Sequence, residues 1–355
     1  MQLLRIVCIA ALPFLALGCA ADPRTALNAA AEKEFKARNY SEAEKYAAAA
    51  VKESVQSKQE RTQAISLFQL GEIYMAQQRY AEAEENLQRS LEIFQRTEKP
   101  PPFGRYWTTA NLHRLGFLYE TLGRYAEADN SYRRMLATAE KAYGTGNPEV
   151  VPALNALSRL GSVQRRYSEA EALSRRALVI ADDSSSPGDL GASIGYLGLC
   201  HLGQGKYAEA EKEFERALRA FEERSATDNF DYAMTLVYSA RLSLAQRKFS
   251  AADIYFRRGL VALGKSNGAD DPAVARTMRE LASLYTEQNR DIEAELLYKR
   301  VLVLQAKALG PTHFEVATTL EAYAVLLRKN DRDAEAAELT KRAKMIRDAN
   351  SKAKE

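Results

Sequence analysis

Tyr80-Ala81-Glu82-Ala83-Glu84 decides the reading of this chain. The phrase returns as Tyr40-Ser41-Glu42-Ala43-Glu44, Tyr125-Ala126-Glu127-Ala128-Asp129, Tyr167-Ser168-Glu169-Ala170-Glu171 and Tyr207-Ala208-Glu209-Ala210-Glu211. Weaker copies begin at Phe249, Asp291 and Asp333, and successive copies lie 40, 45, 42, 40, 42, 42 and 42 residues apart. A period of that length marks stacked supersecondary units, none of which can bury its apolar face alone. Apolar residues recur at three-to-four spacing on both sides of the phrase, so each unit reads as two helices joined by a short turn. In the third unit Leu112, Leu115, Leu118 and Tyr119 make one stripe and Ala128, Tyr132, Met135 and Leu136 the other, with the turn at Gly123-Arg124. Gly205-Lys206 and Arg38-Asn39 are equivalent turns. Breakers separate the units at Pro100 to Pro102, Gly144 to Pro148, Ser184 to Gly188, Asn267 to Pro272 and Gly310-Pro311.

Two positions fix the kind of repeat. Nine residues before each phrase stand Ala31, Gly71, Gly116, Ser158, Gly198, Ala240, Ala282 and Ala324; three residues after its start stand Ala43, Ala83, Ala128, Ala170, Ala210, Ala252, Ala294 and Ala336. Small residues in phase let two antiparallel helices approach closely, while larger neighbours such as Leu70, Tyr74, Tyr80 and Leu87 fill the surrounding space. A coiled coil or plain bundle would not lock small residues in phase with glycine and proline breakers. Together these positions resemble the tetratricopeptide repeat. The long period, with Asp271-Pro272-Ala273-Val274-Ala275 and Phe314-Glu315-Val316-Ala317, resembles its kinesin-light-chain variety. The resemblance implies an all-α, right-handed superhelical solenoid of about eight helical hairpins over residues 25–350, followed by a short tail at 351–355. The first and last units are degenerate, as capping repeats are.

The N-terminus is of another kind. Met1 to Arg5 carries one positive charge, Ile6 to Leu17 is almost wholly apolar, and small residues follow, which is the pattern of an export signal at residues 1–18. The run is shorter than the ~20 residues of a spanning helix, although a retained anchor is the competing reading. Leu15-Ala16-Leu17-Gly18-Cys19 resembles the lipobox of bacterial lipoproteins, which implies lipid attachment at Cys19, a linker at 19–24 and, with Ala20 next, an outer-membrane lipoprotein facing the periplasm. Cleavage near Ala20 or Ala21, giving a soluble periplasmic or secreted protein, is the alternative. Cys200 has no disulfide partner once Cys8 is removed with the signal. With 50 basic and 47 acidic residues and no run of either, the composition does not call for nucleic acid.

No constellation for catalysis stands out, so the chain reads as a non-enzyme that needs no cofactor and no metal. Gly191-Ala192-Ser193-Ile194-Gly195 matches a hydrolase elbow, but that elbow needs a strand before it, and Ser193 falls inside a first helix. His113, His201 and His313 lie in different repeats without metal-ligand spacing; His201 occupies the place of a packed aromatic and reads as core. The repeat glutamates read as solvated. Binding would use the first helices, whose phase lines up His113, Arg114, Asn155, Arg159, Tyr196, Tyr238, Arg241, Arg276 and Arg279, with Phe68, Gln69, Phe117, Glu72 and Glu280 beside them. Guanidinium groups and aromatics suit a protein or peptide segment carrying carboxylates. The competing reading is that the arginines bridge to neighbouring glutamates. Of the family's Lys/Asn/Arg carboxylate clamp only Asn155 and scattered arginines are present; Asn28 and Asn155 match the asparagines of kinesin light chains. A protein-binding scaffold of the cell envelope follows, or a regulatory subunit of a cell-wall or polysaccharide enzyme or of a secretion or pilus machine.

Overall fold

A computed structural model describes residues 23–97, 106–181 and 188–352; the expected signal, its cleavage site and Cys19 lie outside them. All regular structure among these residues is helical. The order is α1 (Pro23–Lys36), α2 (Tyr40–Gln56), α3 (Glu60–Ala76), α4 (Tyr80–Thr97), α5 (Tyr106–Thr121), α6 (Tyr125–Tyr143), α7 (Val151–Val163), α8 (Tyr167–Ala181), α9 (Asp189–Gly203), α10 (Tyr207–Glu223), α11 (Phe230–Ala245), α12 (Phe249–Ser266), α13 (Pro272–Glu287), α14 (Asp291–Leu309), α15 (Phe314–Lys329) and α16 (Asp333–Lys352). These are eight hairpins of an all-α solenoid. They fall into two compact units, divided between Asp189 and Leu190, with four hairpins in each.

Each hairpin turns the same way, for a backbone reason. The residue two places before each second helix is left-handed: Arg38, Gln78, Gly123, Arg165, Gly205, Arg247, Asn289 and Asp331 have φ between 56° and 76°. The next amide donates back to a carbonyl five residues earlier, as in Asn39 to Glu34, Arg79 to Tyr74, Arg124 to Tyr119 and Arg332 to Leu327. That bond satisfies the end of the first helix and aims the chain back along it. Only two of the eight left-handed residues are glycine, so six turns hold a strained side-chain-bearing residue in place through the packing that follows.

That packing is centred on the in-phase small residues. All eight phrase alanines are fully buried. A Cβ added at Gly116 would sit 2.3 Å from Cε1 of Tyr132, one at Gly71 2.6 Å from Leu87 and one at Gly198 2.8 Å from Phe214. Glycine therefore makes room for the large residue sixteen places on. Where the fourth hairpin has Ser158 instead, the partner is Ser174, and their hydroxyls meet at 2.6 Å. Asn147, Asn229, Asp271 and His313 cap the helical segments that follow them by accepting from an amide two residues on. In the first unit α1 touches α3 and α3 touches α5, and in the second α13 touches α15; first helices thus form a continuous row on each unit.

Candidate functional site: the first-helix faces

Charged groups enter these rows in pairs. In the first unit Arg114 on α5 meets Glu72 on α3 at 2.7 Å, and Arg159 on α7 bonds Glu120 on α5. Arg159 also donates to the Tyr132 hydroxyl at 3.3 Å and lies over Phe117. Burial raises the Glu72 carboxyl above its usual range although Arg114 opposes it. His113, ringed by Tyr132, Arg114 and Arg159, is pushed down to about 3 by burial and by the two guanidiniums, so it is neutral at physiological pH. Asn155 is buried on α7.

In the second unit Arg241 on α11 makes a forked bond to Glu280 on α13, at 2.6 and 2.7 Å, beside the Tyr238 ring. Arg279 bonds Glu315 on α15, and Arg276 approaches the same carboxylate at 3.4 Å. Burial would raise Glu315, yet Arg276 and Arg279 hold it below the ordinary carboxylate range. Tyr196 donates to Asp231. The sequence left two readings for the first-helix arginines, and in the structure each of the five faces a carboxylate of a neighbouring first helix. Arg276 differs from the rest: its side chain is 38% exposed, and its Nε makes no hydrogen bond. Glu120, Asp231 and Glu315 were not read as site residues from the sequence, although each lies 35 to 39 residues from its partner, close to one repeat.

A second network runs along the turns and corrects the expectation that the phrase glutamates are merely solvated. In five of the eight hairpins an arginine just before the second helix reaches two acids. Arg124 bonds Glu127 of its own helix at 2.9 Å and Glu84 of the preceding hairpin at 2.7 Å. Arg166 does the same with Glu169 and Asp129, both at 2.6 Å, and Arg332 with Glu335 and Glu295, both at 2.7 Å. Arg79 links Glu82 and Glu44. Several of these guanidiniums also lie over a tyrosine from the end of the first helix: Arg79 over Tyr74, Arg124 over Tyr119 and Arg290 over Tyr285. The two acids of the phrase are therefore a clasp, one closing its own turn and the other holding the next hairpin. The legible signal was the Arg or Lys immediately before the phrase.

Ser193 is fully buried in the interior of α9, and His201 is buried in the same helix. Among the described residues no group of three His, Cys, Asp or Glu could hold a metal ion, and no helix is long and apolar enough to cross a membrane.

Profiles of the tetratricopeptide repeat match residues 64–96, 108–183, 193–224 and 274–315, together about half of the chain. Among solved structures the chain is similar to a Rap protein in complex with Competence and Sporulation Factor, at TM-score 0.62 and 15% identity, with 86% of this chain and 80% of that one covered. It is similar to aspartyl phosphate phosphatase F from Bacillus subtilis at TM-score 0.57 and 11% identity, covering 94% and 95%. It is similar to BtubC (BKLC) from P. vanneervenii at TM-score 0.52 and 20% identity, covering 65% and 91%. No curated protein sequence matches it. Identities this low speak to the fold alone, and fold, repeat phase and profile matches agree: the chain is a tetratricopeptide-repeat protein.

Proposed function

We propose that this protein is a regulatory binding module that takes an acidic segment of a partner protein on the first-helix face of its second unit. The observation that carries this is the loose pairing of Arg276: Arg241 and Arg279 bond Glu280 and Glu315 directly, whereas Arg276 shares Glu315 with Arg279 at 3.4 Å and is acted on by Asp271 through charge. Arg276 is also the most exposed of the three. A partner carboxylate would complete its pairing, and charge-assisted bonds of this kind contribute about 1.5–3 kcal/mol each. A fold neighbour crystallised with Competence and Sporulation Factor supports reading such a scaffold as a regulator. The export-like N-terminus supports a partner in the cell envelope, where a cell-wall or polysaccharide enzyme or a secretion or pilus machine would be controlled, with Cys19 as the proposed lipid attachment point.

Affinity capture from solubilised envelope tests the site. Arg276→Glu is expected to lose the partners that wild type recovers while keeping the wild-type circular dichroism; undiminished recovery would refute the assignment. Fractionation of Cys19→Ala tests the anchor separately, since an unlipidated chain should leave the membrane fraction.

A further inference from the structure

The outer line of each second helix is set by the positions five and twelve residues after the start of its phrase. Seven residues make nearly two turns, so these positions share one line along the helix. On α2, α4 and α10 that line is charged: Lys45 and Lys52, Glu85 and Glu92, Lys212 and Arg219. On α12 and α14 of the second unit it is apolar. Ile254, Val261, Leu296 and Val303 are 58–69% exposed, and Ile292 one turn before Leu296 is 80% exposed, whereas on α16 the line is mixed, with Glu338 before Met345.

Bases flank this line. Arg257 and Arg258 stand beside it on α12, and Lys299 and Arg300 on α14; Lys265 and Lys307 follow at the C-terminal ends. After Asp253 no acid occurs on α12, and after Glu295 none occurs on α14. The acids these bases touch lie at the helix starts or on neighbouring segments: Asp253 for Arg257, Glu295 for Lys299, Asp270 for Lys307 and Glu222 for Arg258. Such exposed pairs are weak and exchange readily for other anions.

We infer that the outer face of α12 and α14 docks on an anionic lipid surface. Apolar ridges bordered on both sides by Lys and Arg match a bilayer interface, where the ridges enter the acyl boundary and the long basic stems reach the phosphates. A second copy of the chain would bring these basic flanks against one another. A single acidic helix would cover one furrow and leave the neighbouring ridge in water. This surface is separate from the first-helix face, so the inference does not rest on the binding role proposed there.

The test uses full-length protein and a probe at the surface, so that vesicle contact by the N-terminal segment does not enter the reading. Val303→Trp places an indole on the line, and Glu92→Trp places one at the same register of α4; the emission of Trp107 is subtracted using wild type. With vesicles of brominated phosphatidylglycerol and phosphatidylcholine, the indole from Val303→Trp is expected to be quenched and the one from Glu92→Trp not. Adding Val261→Glu and Leu296→Glu, which restore the glutamates found on α4, should weaken the titration about tenfold or more. Molar salt should weaken it too, because the Debye length falls to about 3 Å. Equal quenching at both positions, or quenching that survives the two glutamates, overturns the assignment. So does no quenching at position 303 combined with saturable binding of an acidic amphipathic peptide there, which would give the face to a protein.

Discussion

Gly116→Ala sets two effects against each other. In a helix interior alanine is better than glycine by about 1 kcal/mol, so local propensity alone makes the variant more stable. Packing acts in the opposite direction. The new methyl would lie 2.3 Å from Cε1, 2.6 Å from Cδ1 and 2.8 Å from Cζ of Tyr132. Tyr132 is fully buried, and its hydroxyl is bonded to Glu120 and Arg159 at 3.3 Å each, so the ring cannot swing away without breaking both bonds. Overpacking of this kind costs about 1–3 kcal/mol, and each hydrogen bond to a charged group adds about 1.5–3 if lost. The seventh hairpin holds Ala282 and Tyr298 at the same register, both buried, so the pair of helices can adjust by opening slightly, which keeps the cost near the lower end. We expect net destabilisation of about 1–2 kcal/mol, or a fall in Tm of ~2–4 °C per kcal/mol. Urea unfolding followed by Trp107 fluorescence reads it directly, since that indole stacks on Phe94 in the same unit, 5.4 Å between centroids. Gly264→Ala on α12 is the control: nothing lies within 4 Å of its added Cβ, so it should be neutral or stabilising by circular dichroism. A Gly116→Ala protein as stable as wild type would refute the close-approach account of the small residues.

Other variants probe the turns and the titrating groups. Arg247 has φ of 58°, and Arg247→Gly should stabilise the fold by about 0.5–1 kcal/mol, seen as a higher urea midpoint, by relieving a left-handed side chain. His113 titrates near 3 in the fold and ~6.5 when unfolded; the unfolded chain takes up a proton that the native state refuses, so stability falls as pH drops from about 6.5 towards 3. His113→Gln should flatten that window, by about 1–2 kcal/mol between pH 7 and 5 on the Trp107 signal. Glu295 is lowered to about 2 by Arg332 and Lys299, helped by Tyr323 and opposed by burial. Its contribution is present above about 4.5 and is lost as pH falls towards 2, so Glu295→Gln should cost about 1 kcal/mol at pH 7 and less at pH 3 in chemical denaturation.

The repeat was legible because close helix approach leaves a mark on composition: alanine stands at Ala43, Ala83, Ala128 and all their counterparts, each fully buried, and such a mark survives in one sequence. The hairpin turns were half legible. Gly123 and Gly205 announce a left-handed residue, but Arg38, Gln78, Arg165 and Arg247 adopt the same φ, and nothing in an arginine's own preference predicts that; the surrounding helices impose it. Ion pairs were legible only as candidates. Arg159 and Glu120 are 39 residues apart, and whether a guanidinium one repeat away meets a carboxylate or solvent depends on how neighbouring first helices are set, which periodicity does not state. The phrase glutamates were misjudged for a related reason. Read within one hairpin they sit at an exposed end, and their partners come from the turn of the next.

The two ladders of charge therefore do different work. The turn clasp keeps one polarity wherever it occurs, base before the helix and acid within the phrase, because each acid must serve a fixed place in the next hairpin. The first-helix pairs do not. Glu72 on α3 meets Arg114 on α5, whereas at the same register Arg241 on α11 meets Glu280 on α13 with the charges exchanged. Stacking needs a matched pair at that register and is indifferent to which helix carries which sign. Polarity on this row is thus free to be set by something other than the fold, and Arg276, which shares the Glu315 carboxylate with Arg279, is its most loosely paired base. A buried pair resists displacement, because removing one member leaves the other charge without compensation in a poorly solvated place. On the binding role proposed above, an incoming carboxylate would add to the row at Arg276 rather than break Arg159 from Glu120, and recognition should concentrate in the second unit even though both units present arginines on their first helices.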